Sequence, residues 1–291
     1  MLQTKEITLA LGERYKKLLG RNDTSYYSFT NIFYSRDCTH YQYVDLEEEG
    51  LCIICRPPEM APMCMFPLGV KDLRSAVLKL HKELGVQRII PLRPDMAEQL
   101  QAACGDFIEL SERRNSFDYV YATQQMIELK GKAYHSKRNF ITRFTNRFDY
   151  RYIPLTQENV RICQPMVDLW FEEHPDYESP MFNEKTAIEE IMNNFDALGL
   201  KGGAIEVDGR VVAFSIGENI APDVAHILIE KADTTYPGAY TVINNEFLKN
   251  AWSHTTYVNR EEDMGLEGLR KAKLSYHPDH FNVIYSADIK L

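Results

Sequence analysis

Apolar and polar positions alternate between two periods along the first half of the chain, and the periods mark its elements. A helix is predicted near 10–20, a strand pair around 41–56, a strand near 63–67 and a helix over 72–84. The short run RIIPL at 88–92 reads as a strand, 94–103 as a helix, and FDYVYATQQMIEL at 117–129 as one alternating strand. The second half opens with a helix over 132–148, a strand RYIPL at 151–155, and helices near 157–174 and 183–197. A hairpin follows, GGAIEV then RVVAFSIGENI, with Asp208-Gly209 between them as the preferred two-residue turn pair. A third strand, VAHILIEKA, precedes a helix over 238–252 that carries Ala239, Val242, Ile243 and Phe247 on one face.

Helices, a three-stranded meander and a closing helix therefore occur in rough form twice. That order resembles the acetyltransferase (GNAT) fold, and it predicts an α/β (α+β) protein of two tandem GNAT-like units with mixed, largely antiparallel sheets. The expected units are 1–130 and 131–291, the second carrying the active cleft.

Composition narrows the class. With 291 residues and 44% hydrophobic content the chain can bury a substantial core. A net charge of −9, from 33 basic and 42 acidic residues, argues against general nucleic-acid binding. Between 130 and 151, however, Lys130, Lys132, Lys137, Arg138, Arg143, Arg147 and Arg151 face Asp149 alone in sequence, a basic segment that could meet tRNA. The N-terminal stretch lacks the pattern of a secretory leader, and no run of about 18 apolar residues occurs. A cytoplasmic protein without a membrane span is expected, with peripheral membrane contact left open. Cys52 and Cys55, the one close cysteine pair, fall on opposite faces of a strand, so six reduced thiols and no metal site are expected.

The densest chemistry lies in YVNREEDMGLEGLRKAKLSYHP at 257–278. Asp263 is placed to cap a helix, Glu261 and Glu262 to sit near its positive end, and Arg270, Lys271 and Lys273 toward its other end. Helical periodicity puts Lys273 between Leu266 and Leu269 on the apolar face, and puts Lys137 inside the arc of Ala133, Phe140, Phe144 and Phe148. A lysine in either place needs a partner, either a carboxylate such as Glu261 or Asp263 or the anion of a ligand. The histidines, His226 among them, show no metal-ligand spacing, and Ser215, Ser275 and Ser286 lack a nucleophile-elbow context. Trp170 with Phe171, and Phe140 with Phe144, read as core.

The stretches IELKGKAYHSKRNFITRF at 127–144 and VNREEDMGLEGLRKAKLSYHP at 258–278 resemble the phosphatidylglycerol lysyltransferase C-terminal domain family, and the likeness runs over nearly the whole chain. Members of that family resemble Fem-type peptidyltransferases in having two acetyltransferase-like halves, and the lysyltransferases move an aminoacyl group from a charged tRNA to a lipid hydroxyl. The best-known members carry a large membrane-spanning region before the domain, which this sequence does not present, and its acidic run is typical of a soluble branch. The resemblance implies an acyl- or aminoacyl-transferase, with aminoacyl-tRNA or acyl-CoA as donor and an amine, hydroxyl, small molecule or peptide as acceptor. An acetyl-CoA enzyme usually cradles the pyrophosphate with a glycine-rich turn at a helix N-terminus, and of that turn only Gly238-Ala239 remains in EKADTTYPGAYTV. The alternative reading is a non-catalytic small-molecule-binding protein on the same fold. Glu261 or Asp263 is the expected base. Lys137 and Lys273 are the expected anion holders, with Arg138, Arg143, Arg260, Tyr236, Gly238 and Tyr276 as further substrate contacts.

Overall fold

The computed structural model describes residues 1–47, 49–58, 60–174 and 183–291. Strands β1 (Thr4–Glu6), β2 (Tyr41–Leu46), β3 (Gly50–Cys55), β4 (Met63–Cys64), β5 (Arg88–Leu92) and β6 (Ile108–Glu112) alternate with helices α1 (Leu11–Leu19), α2 (Phe29–Ser35), α3 (Leu73–Leu84) and α4 (Pro94–Cys104). Then come β7 (Asp118–Ala122), α5 (Thr123–Glu128), α6 (His135–Arg147), β8 (Tyr150–Leu155), α7 (Gln164–Glu173) and α8 (Glu184–Asn193). The chain ends with β9 (Lys201–Val207), β10 (Arg210–Ala221), β11 (Val224–Ala232), α9 (Ala239–Ala251), β12 (Tyr257–Asn259), α10 (Glu267–Leu274), β13 (His280–Asn282) and β14 (Tyr285–Ile289).

Two compact units form. The first takes Met1–Asn22, Tyr26–Phe117 and Asn282–Leu291; the second takes Asp23–Ser25 and Asp118–Phe281. Among the described residues each unit has one mixed sheet, ordered β1-β2-β3-β4-β5-β14-β6 in the first and β13-β7-β12-β11-β10-β9-β8 in the second. The expected boundary near 130 is corrected at both ends. The chain enters the second sheet at β7, which pairs with β12, and its last strand returns to the first sheet between β5 and β6. Neither pairing is between sequence neighbours, so no local signal announces it.

In the first unit, α3 starts where the Asp72 carboxylate accepts the Ser75 N–H at 3.0 Å, and it stops at left-handed Gly85. Cys52 is buried and Cys55 half-buried, and all six cysteines are free thiols. The strand expected to run from 117 to 129 ends at Ala122. Its partner β12 supplies only Tyr257–Asn259 for pairing, and Thr123 and Met126 then bury at helical spacing in α5.

In the second unit the hairpin β9–β10 turns at Asp208 and Gly209, both with positive φ (49° and 77°), as the sequence predicts. Helix α9 lies across β9, β10 and β11, and its apolar stripe of Ala239, Val242, Ile243 and Phe247 joins a core with Phe144, Ile205, Ala213 and Trp252. Gly238 precedes it at φ 99°, and a Cβ there would meet the Phe140 carbonyl oxygen at 2.7 Å. Both the conformation and the close backbone approach require glycine. We expect Gly238→Ala to lower unfolding free energy by about 1–3 kcal/mol in urea titrations.

Candidate active site in the second unit

The cavity begins where two strands part. Strand β11 pairs in parallel with β12 only from Val224 to His226, opposite Tyr257 to Asn259. After Asn259 the chain turns away through Glu261 (φ 59°) and Met264 (φ 51°), leaving the flank of Ile227–Lys231 to line an open cavity of about 490 Å³. Lys137 of α6, Trp170 of α7, Glu184 of α8, Tyr240 of α9 and Lys273 and Tyr276 at the end of α10 complete its wall, with Arg260, Glu261 and Glu262 from the turn.

The turn is held from beneath. Asn259 accepts the Glu261 N–H at 2.8 Å and donates to Asp118 at 2.8 Å and to the Asp23 carbonyl at 2.9 Å. Asp118 is fully buried, bonded to the Thr24 and Ser25 hydroxyls and the Ser25 N–H, and burial raises its pKa. This network fixes the left-handed backbone that aims Glu261 at the cavity.

Behind Glu261 lies a buried histidine. His226 has no exposed side-chain surface; its Nε2 is 3.0 Å from Glu261 and its Nδ1 3.3 Å from Glu218. Burial alone would lower its pKa, but the hydrogen bonds and negative charges of the two carboxylates outweigh burial and raise it to about 10. The ring is therefore an imidazolium near neutrality, and it holds the Glu261 side chain in place. Burial and the charges of Glu261 and Asp118 raise the pKa of Glu262.

Four cations face the cavity, and they differ in what holds them. Arg260 donates to Glu230 at 2.8 Å, and Glu230 also accepts from Asn244 at 2.9 Å. Lys231 is buried, pairs with Glu184 at 2.8 Å, and lies 3.5 Å from the centre of the Trp170 ring, whose indole N–H donates to Tyr240. Lys273 donates to the main-chain carbonyls of Arg260 and Glu261, not to a carboxylate, which corrects the expected pairing. Burial lowers its pKa. Lys137 lies 3.6 Å from the centre of the Tyr276 ring, and burial with the nearby Arg260 charge lowers its pKa to about 8.

The sequence-predicted residues thus divide into two groups. Lys137, Arg260, Glu261, Lys273 and Tyr276 come together in the cavity wall. Asp263 is fully buried outside it: its carboxylate accepts from Arg270 at 2.8 and 2.9 Å, from the Tyr119 hydroxyl at 2.5 Å and from the Gly265 N–H at 2.9 Å. These bonds hold its pKa well below the carboxylate range, and the cap of α10 is Leu266. Arg138 donates to the Leu129 and Gly131 carbonyls, Arg143 is exposed, and Tyr236 packs on Phe148 with ring centres 5.0 Å apart. Gly238 begins α9 against the Phe140 backbone, and Phe140 itself is exposed, not core. In the basic segment, Arg151 pairs with Glu206 at 2.7 Å and Lys130 with Glu128 at 2.9 Å. Not foreseen from the sequence were Glu218 and His226 behind Glu261, Glu230 holding Arg260, and Lys231 paired with Glu184. The usable signal was a histidine and two glutamates on adjoining strands of one meander.

Residues 18–288 match the family model described as phosphatidylglycerol lysyltransferase, C-terminal. The chain belongs to this family. A protein of unknown function from Bacteroides thetaiotaomicron is 34% identical, with a TM-score of 0.88 and 100% of each chain covered. Two further solved structures share the fold. L-PGS from Bacillus licheniformis has a TM-score of 0.71 at 13% identity, covering 98% of this chain and 93% of its own. FemX has 0.61 at 11%, covering 99% and 97%. Among curated proteins, an uncharacterized protein of Mycoplasmoides gallisepticum is 24% identical over 167 residues, which is 57% of this chain and 54% of the relative. The match thus spans about half of that relative's length. The α/β architecture of acetyltransferase-like type, expected from the repeated element order, is the fold of these family members and neighbours. No helix among the described residues is long and apolar enough to cross a membrane.

Proposed function

We propose that this family member is an acyl- or aminoacyl-transferase that moves an activated acyl group, from aminoacyl-tRNA or acyl-CoA, to an amine or hydroxyl in the cavity of the second unit. The observation that carries this reading is Glu261, held 3.0 Å from the ring of His226, in one cavity with Lys137, Lys273 and Arg260. An ester or thioester donor is already activated, so the protein must hold donor and acceptor together, accept a proton and stabilise charge. Glu261 takes the proton of the acceptor N–H or O–H as the nucleophile bonds to the acyl carbon. The carbon–oxygen or carbon–sulfur bond then breaks, and the leaving group departs with a proton from solvent. Lys137 and Lys273 face the anionic part of the donor, and Arg260, fixed by Glu230, adds positive potential. Asp263, its oxygens taken by Arg270, Tyr119 and Gly265, holds the α10 turn in place.

A binding protein without catalysis is the second reading, favoured by the loop before α9, where Tyr236 and Pro237 stand in place of a glycine-rich phosphate turn. The test offers labelled aminoacyl-tRNA and acyl-CoA separately, each with small amines, peptides and phosphatidylglycerol. Label appearing in one acceptor with one donor supports transfer. Inertness in every combination, with a small molecule co-purifying unchanged, supports the binding protein.

A further inference from the structure

The four cavity cations are not equivalent as chemical groups. Lys231 is committed to Glu184, Arg260 to Glu230, and Lys273 to two carbonyls of the turn that carries Glu261. Lys137 is different. Among the described residues no carboxylate lies within ion-pair distance of its ammonium, which rests on the Tyr276 ring while the Arg260 guanidinium lies 5.0 Å from the centre of the same ring. It is half-buried yet opens to the cavity.

We propose that Lys137 is a site of covalent acyl modification by reactive acyl thioesters that enter the cavity. The uncharged Nζ attacks the thioester carbonyl carbon; the carbon–nitrogen bond forms, the carbon–sulfur bond breaks, and the departing thiolate takes up the proton lost by the amine. The product is a neutral, stable amide, so the event is a modification and not a turn of a catalytic cycle. It removes one positive charge from the cavity and leaves an acyl group in the cavity that Glu261 also lines.

The surroundings of Lys137 favour this chemistry. Burial and the Arg260 charge oppose the ammonium and Glu230 favours it, with a pKa of about 8 as the outcome. Lys273, Glu261 and Glu262 line the same cavity farther along the turn and α10. At pH 7.5 about one quarter of such an amine is uncharged, against about one in a thousand for an ordinary lysine. Lower intrinsic nucleophilicity offsets part of that gain, which leaves an advantage on the order of tenfold. The cavity cations also attract the phosphates of a coenzyme A thioester.

The experiment needs no variant. The full chain is incubated with acetyl-CoA, and in parallel with the uncharged thioester S-acetyl-N-acetylcysteamine, over pH 6.5–10, and acetyl occupancy at each lysine is followed by peptide mass spectrometry. With both reagents, Lys137 is expected to acetylate roughly tenfold faster at pH 7.5 than exposed Lys271 on α10, with a rate that levels off above about pH 8. Equal rates at the two lysines, or a Lys137 rate that climbs steadily to pH 10, would overturn the proposal. Because the readout is mass on one side chain and not turnover, its failure leaves the transferase reading standing, and inert transfer assays leave this inference standing.

Discussion

Replacing Glu261 by Gln is expected to slow acyl transfer by at least roughly 100-fold, the usual worth of a positioned proton acceptor, while the protein stays folded. The amide keeps the shape and can still bond to His226 Nε2, which retains Glu218 as its charged partner. Stability should therefore change far less than rate. Steady-state kinetics separate the roles: a base loses kcat, whereas a group that only holds the acceptor amine raises KM with kcat preserved. A variant with the wild-type rate would remove Glu261 from the chemistry.

The second large effect concerns stability and comes from behind the site. His226→Leu leaves Glu218, nearly buried, and Glu261 without the cation between them, and should cost about 3 to 5 kcal/mol of unfolding free energy. The pH dependence is distinctive because the folded-state pKa, about 10, lies above the ordinary value of 6.5. A group raised in this way stabilises fully below its unfolded pKa and loses that contribution as pH rises through the folded one. Urea titrations should show the gap between wild type and His226→Leu widest near pH 6 and narrowing steadily toward pH 10. A constant gap across that window would mean that His226 serves as packing alone.

What the sequence disclosed was local. The Asp208-Gly209 turn, the apolar stripe of α9 and the meander β9–β11 are written in neighbouring residues, and helical periodicity placed Lys137 and Lys273 each on the inward face of its helix, where the structure brings both to one cavity. Exchange of β7 and β14 between the expected halves depends on partners far along the chain. The acid–histidine pair was hidden by register. A bulge between Asn219 and Ala221 sets His226 opposite Glu218, where counting back from the turn would place it opposite Asn219. Asp263 misled because a carboxylate shortly ahead of a helix reads as its cap. Its actual partners include Arg270, seven residues on within α10, and Tyr119 on β7, the latter far away in sequence.

Transfer inside the cavity of the second unit is tested most directly by a crystal structure of the protein with an unreactive, amide-linked analogue of an aminoacyl-nucleoside donor. The acyl carbon is expected beside Glu261, within reach of a proton-sharing acceptor, and the anionic or sugar end toward Lys137 and Lys273. A donor analogue seated instead in the groove between α7 and the β8–β10 strands, near Arg151 and Asp168, with the cavity left empty, would contradict it.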